Sequence, residues 1–294
     1  MKQQSKLIGK LRETILDEIF TALGMSPENW LSRLLKPLVW MPAHRFAELG
    51  AKFDEYVANS NFCEAARWVL PRFVQNIEVK ESENIPAEGP LLIASNHPGT
   101  YDVLAIAASL PRPDLKIIAS ARPFITGLPS TARHLIYTTL NSHERMTVIR
   151  AAIRHLKENG ALLIFPGGNI EPDPAVLPGA EESLASWSPS LEIMLRRVPQ
   201  TKVLVAIVSG VLSPECLRSP LTQLHQQLRD RQRAAEFIQV IQQMLFGQKY
   251  ELTPKITFGK LFTTSDLAKE YGASGMIQAV IDKARGLLTQ VPIS

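Results

Sequence analysis

Two cysteines, Cys63 and Cys216, are all that this 294-residue chain has, and they stand far apart. That excludes a disulfide framework and the clustered thiols of a zinc site, and makes a reducing, cytosol-facing compartment the expectation. Aromatic residues make up only 7% and do not interleave with the basic ones, which argues against a nucleic-acid surface. No apolar run approaches the roughly 20 residues of a membrane-crossing helix, because Lys, Arg or Pro interrupts the longest of them. The segment from Met1 to Lys10 lacks the apolar stretch of a signal peptide. The expectation is a cytoplasmic protein, soluble or seated peripherally on the inner face of a membrane. The six histidines show no ligand spacing, so no metal is expected.

What is present suffices for a large core: 45% of residues are hydrophobic and 20% charged. The net charge of +4 is unevenly spread. Arg112 to Lys157 holds eight Lys or Arg against Asp114 and Glu144, and Glu158 to Glu192 holds six acids with no Lys or Arg. The basic stretch fits a phosphate-bearing ligand or an anionic surface, or else a solvated helix face.

Residues 1–70 read as a helical subdomain ahead of an α/β domain at 71–294. Leu7, Leu11, Ile15 and Ile19 recur at helical spacing with Gly24 as a stop, and Ser26-Pro27 reads as the next N-cap and first helical position. Trp30 to Met41 is rich in Leu and Trp with Arg and Lys between them, which suits a membrane interface or a helix packed on the core. Pro42 is expected to start a separate helix. Beyond Pro71, strand-like runs occur at 73–79, 91–94, 115–119, 134–138, 162–165, 203–208 and 255–258. The amphipathic segments between them predict a mixed, largely parallel sheet flanked by helices. The clearest helix places Met146, Ile149, Ile153 and Leu156 on one face and ends at Asn159-Gly160. A Gln- and Arg-rich helix over 221–246 and a helical pair over 265–288 complete the chain.

Two segments carry chemistry. Ser95-Asn96-His97-Pro98-Gly99-Thr100-Tyr101-Asp102 follows the run Leu91–Ala94. A strand end, a Pro-Gly turn and a helix start would set His97 beside Asp102, an imidazole base with a carboxylate to orient it. Equally, this spacing gives a loop histidine next to a helix-capping aspartate. The second segment is Leu162 to Pro174, where a buried strand runs into Pro166-Gly167-Gly168-Asn169. Glycines there let backbone amides approach a ligand beyond the carboxyl end of a strand, or form an ordinary turn.

Together, Asn-His-(four residues)-Asp after one strand and Phe-Pro-Gly-Gly after a later one resemble the glycerolipid acyltransferase superfamily. The resemblance runs from about Phe73 to Val211, with Glu83 to Pro90 as lead-in and Lys202 to Ile207 as a late strand. Gly167-Gly168 with Pro172-Asp173-Pro174, and the N-terminal helical region, are similar to the soluble plastid type of glycerol-3-phosphate acyltransferase. The resemblance implies O-acyl transfer from an acyl-CoA or acyl carrier protein thioester to glycerol-3-phosphate or a lysophospholipid, without another cofactor. It implies His97 and Asp102 as catalytic residues and Arg145, Gly167, Gly168, Asn169 and Arg122 as substrate-binding ones. A peripheral membrane surface is an expected partner and nucleic acid is not.

The chain departs from that pattern after the second glycine. Relatives usually carry Glu at the position of Gly167, or basic residues where this chain has Asn169, Ile170 and Glu171. Glu171 would repel an acceptor phosphate, with Arg145, Arg122 and Arg150 left to compensate. Two alternatives therefore stand beside the phosphorylated acceptor: a non-phosphorylated alcohol, or a catalytically silent lipid-binding protein. No Gly-x-Ser-x-Gly elbow occurs, so a serine nucleophile is not expected. The oxyanion would be met by amides near Gly167 and Gly168 or by Arg122.

Overall fold

A computed structural model of the chain describes residues 2–138, 142–247, 250–272 and 275–291, apart from the side chains of residues 2, 3, 142–145, 270 and 271. Among the described residues eight strands form one sheet: β1 (Glu78–Lys80), β2 (Leu91–Ser95), β3 (Lys116–Ser120), β4 (Leu135–Thr138), β5 (Ala161–Ile164), β6 (Lys202–Ser209), β7 (Lys255–Phe258) and β8 (Phe262–Thr263). Their order is β1-β7-β6-β2-β5-β3-β4, with β8 on the side of β6. The block from β6 to β4 is parallel, β7 and β8 run antiparallel to β6, and β1 is parallel to β7. The expected mixed, largely parallel sheet is what forms.

The helices are α1 (Lys2–Ala22), α2 (Trp30–Asn59), α3 (Phe62–Val69), α4 (Asp102–Ser109), α5 (Pro123–Thr126), α6 (Ser142–Lys157) and α7 (Ala180–Ser183). They continue with α8 (Ser190–Arg197), α9 (Pro214–Leu217), α10 (Pro220–Gln223), α11 (Leu228–Phe246), α12 (Thr264–Tyr271) and α13 (Met276–Leu288). The central strands are buried on both sides, which is why they read as continuous apolar runs rather than alternating ones. Leu91 and Ile93 of β2 face a core shared with α3 and α4, whereas Leu92 and Ala94 face one shared with α8 and α13. Leu163 and Leu162 of β5 divide in the same way. Each fully buried Leu or Ile contributes about 1.5–3 kcal/mol.

Several boundaries differ from the sequence reading. Pro42 does not open a helix, since α2 runs unbroken through Pro37 and Pro42. Each proline removes one internal hydrogen bond at a cost of about 3 kcal/mol. Burial of Ala43, Ala47 and Ala51 against Leu11, Ile15 and Ile19 of α1 offsets that cost. The N-cap of α2 is Asn29, whose side chain accepts from Leu31 N–H; Ser26 instead accepts, through its carbonyl, from Asn29 N–H and from the Ser32 hydroxyl. The run at 73–79 pairs only over Glu78–Lys80, because Phe73 turns inward to stack on Tyr101. On α6, Ile149 and Leu156 are buried as expected but Met146 is exposed. Residues 221–246 divide into α10 and α11.

Candidate active site

β2 and β5 are neighbours in register, Leu91 opposite Ala161 and Ala94 opposite Ile164, so the two motif loops leave the same edge of the sheet side by side. On the other flank, Asn96 extends the β2–β6 ladder by one side-chain rung. Its amide donates to Val208 O and accepts from Val208 N–H, both at 2.8 Å. This fixes the direction in which the chain leaves β2 and so places His97.

His97 Nδ1 lies 2.8 Å from Asp102 Oδ2. Asp102 is fully buried at the first turn of α4 and accepts from Gly99 N–H at 3.0 Å and Val103 N–H at 2.5 Å. Backbone donors at a helix N-terminus thus fix the position of this carboxylate. With Nδ1 directed at Asp102, the neutral ring carries its basic lone pair on Nε2. Phe165 stacks on the imidazole with ring centres 4.5 Å apart, and the histidine side chain keeps 27% of its surface exposed. Burial lowers the His97 pKa, but the charge and hydrogen bond of Asp102, helped by Glu236 and Glu171, outweigh it and leave the net value raised.

The glycine loop is tied to the histidine loop by backbone. Glu171 N–H donates to His97 O at 2.8 Å, and Gln232 of α11 donates to both Pro98 O and Glu171 O, at 2.5 and 2.9 Å. Asp173 anchors the far end of the loop, accepting from the N–H groups of Ala175, Gly210, Val211 and Leu212. Gly168 has φ +68°, a left-handed conformation that favours glycine, and its N–H is already used on Phe165 O. Of the two glycine amides expected to meet an oxyanion, that of Gly167 has no hydrogen-bond partner among the described residues.

Gly167 is a glycine for reasons of space. A Cβ there would fall 2.1 Å from Glu171 Oε1. The Glu171 carboxylate thus occupies the room that a side chain at this position would need. It accepts from Trp187 Nε1–H at 3.0 Å and from the Ser183 hydroxyl at 3.5 Å. Burial is the chief reason that its pKa rises to about 7, against the pull of Trp187 and His97.

The other predicted residues are dispersed. Asn169 is exposed next to Gly168. Arg122 is exposed as the N-cap of α5, within electrostatic range of Glu18 and of half-buried Arg233 on α11. Arg145 lies in the first turn of α6, its side chain outside those described. Arg150, Arg154 and Lys157 point to solvent, which is the plain reading of that basic stretch. Arg112 is a buried rivet, bound to Asp114 and to the carbonyls of Pro86, Gly89 and Asn159.

The contribution of α11 was not foreseen. Gln232, Glu236, Gln239 and Gln243 form a buried polar stripe on it. Gln239 holds Ser213 N–H and Val211 O, and Gln243 holds Phe73 O and the Tyr101 hydroxyl. Glu236 Oε2 accepts from the Thr100 hydroxyl at 3.0 Å, while Oε1 is buried without a partner. Burial drives the Glu236 pKa up to about 8, with His97 opposing. The signal was available as polar residues at 232, 236, 239 and 243, a helical period that marks one face.

Residues 76–198 match the Acyltransferase family. No curated protein matches the sequence. Among solved structures, the 1-acyl-sn-glycerophosphate (LPA) acyltransferase PlsC from Thermotoga maritima is 15% identical, with 97% of this chain and 99% of that one covered and a TM-score of 0.44. A likeness that loose assigns neither a substrate nor a residue's role.

Proposed function

We propose, from the match of residues 76–198 to the Acyltransferase family, that this chain is an O-acyltransferase in which His97 is the general base. The observation that carries the proposal is the 2.8 Å pairing of His97 Nδ1 with buried Asp102, which leaves Nε2 free at the carboxyl edge of the sheet beside the glycine loop. His97 Nε2 takes the proton of an acceptor hydroxyl as its oxygen attacks the thioester carbonyl. The C–O bond forms, the C–S bond breaks, and the imidazolium returns its proton to the leaving thiolate. Asp102 holds the tautomer and offsets the imidazolium charge. The Gly167 N–H is the backbone donor best suited to the oxyanion.

The donor is an acyl-CoA or acyl carrier protein thioester, and the acceptor glycerol-3-phosphate or a lysophospholipid, giving a step of phospholipid synthesis. A second reading, a non-phosphorylated alcohol acceptor, is favoured by the company of His97, since the side chains named around it, Asp102, Phe165, Glu171 and Glu236, include no cation. An acceptor panel decides between them. Glycerol-3-phosphate, lysophosphatidic acid, a neutral lysophospholipid and a long-chain alcohol are each offered with either thioester, and lipid products are weighed by mass spectrometry. Product confined to phosphorylated acceptors supports the first reading. Product only with neutral ones supports the second. Absence of product with every pair sinks both and favours a silent lipid-binding protein.

A further inference from the structure

Four polar side chains of α11, at 232, 236, 239 and 243, are buried on one face of the helix. Each of the three glutamines bridges two partners. Gln232 holds the carbonyls of Pro98 and Glu171, Gln239 the Ser213 N–H and Val211 O, and Gln243 the Tyr101 hydroxyl and Phe73 O. Glu236 breaks that rule. Its Oε2 accepts from the Thr100 hydroxyl at 3.0 Å, whereas Oε1 is buried with no hydrogen-bond partner among the described residues. An unpaired buried polar group costs about 1–3 kcal/mol. A stripe serving packing alone would be more stable with an apolar residue at 236, so the reason for a carboxyl lies in what it touches.

It touches the turn between the two members of the His97–Asp102 pair. A Cβ on Gly99 would fall 2.8 Å from Glu236 Oε1 and 3.4 Å from Val211 Cγ2, so the Gly99 backbone lies directly on the carboxyl. Thr100, the next residue, bonds its other oxygen. Gly99 N–H in turn donates to Asp102 Oδ2 at 3.0 Å, the same oxygen that lies 2.8 Å from His97 Nδ1. The path from α11 to the imidazole is therefore short: carboxyl, turn, Asp102 Oδ2, His97. Displacing the turn moves one of the two groups that hold that oxygen, and with it the direction of Nε2. Gln232 and Glu236 are one helical turn apart, so α11 grips this loop twice, at Pro98 O and at Thr100.

We propose, on the reading of His97 as general base, that Glu236 is a positioning residue: its carboxyl seats the Gly99–Thr100 turn on α11 and thereby fixes the His97–Asp102 pair. The groups acting on the carboxyl are His97, Thr100 and Asp102 from the histidine loop and Arg233 from α11 itself, while Glu171 of the glycine loop acts on His97. Burial pushes the Glu236 pKa up to about 8. Near neutrality the turn is thus held mainly by the neutral acid. The ionised form, by favouring imidazolium, would oppose the base form of His97. A glutamine at 236 can hold the turn without the charge, and an alanine can do neither.

The test compares the full chain with its Glu236→Gln, Glu236→Ala and Thr100→Val variants at equal folded fraction, by acyl-transfer kinetics against pH and by proton NMR of the His97 imidazole. In Glu236→Ala kcat should fall about 10–100-fold, the scale of a misplacement of about 1 Å, with KM for donor and acceptor nearly unchanged. Thr100→Val cuts the same link from the other side and takes the place of Glu236→Ala should that variant not fold. Where both fold, their combined loss should be smaller than the two single losses multiplied. Glu236→Gln should recover most of the loss and move the acid limb of the pH profile to lower pH. The Nδ1 proton resonance, carried downfield by Asp102, should persist in Glu236→Gln and weaken or move upfield in Glu236→Ala. An unchanged kcat with an unchanged His97 resonance in Glu236→Ala overturns the proposal, as does a glutamine variant no better than the alanine one. If the wild-type chain transfers no acyl group and the resonance still responds to Glu236→Ala, the clamp stands and the reading of the reaction falls.

Discussion

His97 owes its setting to its neighbours, and changing them has measurable consequences. Because the Asp102 pairing outweighs burial and raises the His97 pKa, the base form is complete only above the pH at which free imidazole titrates. The acid limb of the pH–rate profile should therefore lie higher than about 6.5. In Asp102→Asn the limb should move down and the rate should fall by roughly 10²–10⁴-fold, as expected when a base loses its orientation. An acid limb that does not move in the variant would separate the limb from His97. Gly167 supplies a second residue-scale prediction. In Gly167→Ala the new methyl collides with Glu171 Oε1, so either the loop or the carboxylate must shift, and transfer should drop. Adding Glu171→Ala makes room, so the double variant should lose less than the two single losses combined. Strict additivity in that cycle would mean the two positions are not coupled.

The element that decides the site is α11, and it shows where sequence reading stops. Strands β2, β5, β6 and β7 were legible from the sequence because buried parallel strands are apolar throughout, and His97 and Asp102 because Asn-His-Pro-Gly follows one of them. The role of α11 was harder to read: the period of 232, 236, 239 and 243 marks one face, but buried glutamines resemble surface ones in composition, and only their partners, more than a hundred residues away for Gln232 on Pro98, show that this face is the buried one. Gly167 was hidden in the same way, since nothing local says that Glu171 fills its space. Proline misled at α2, where packing of small residues on α1 overrides the break. At this scale Gln232→Leu should leave the pocket formed but its loops loosely joined, lowering kcat more than it raises KM. An unaltered kcat would mean that the backbone tie from Glu171 to His97 suffices. Asp173→Ala removes an acceptor from four backbone donors and should cost at least about 2 kcal/mol of stability, read as a lower urea midpoint.

Over the whole molecule, two buried carboxylates beside the site set a pH dependence of stability. A carboxyl whose folded pKa exceeds its unfolded value holds a proton that the unfolded chain has released. The stabilisation from Glu236 is thus complete below an ordinary glutamate value of 4.5 and is lost as pH rises to about 8. Glu171 acts in the same sense up to about 7. Unfolding midpoints should fall across that window, and Glu236→Gln should flatten the fall. A variant with an unchanged slope would assign the dependence elsewhere. The sheet edge, the loops it carries and the α11 stripe behind them converge on a single claim, that His97 moves the proton in acyl transfer. The measurement that tests it most directly is single-turnover transfer of a labelled acyl group from thioester to a hydroxyl acceptor by the wild-type chain and by His97→Ala, compared at equal folded fraction. The account predicts a rate lower by at least about 10²-fold in the variant; transfer at a near-normal rate would contradict it.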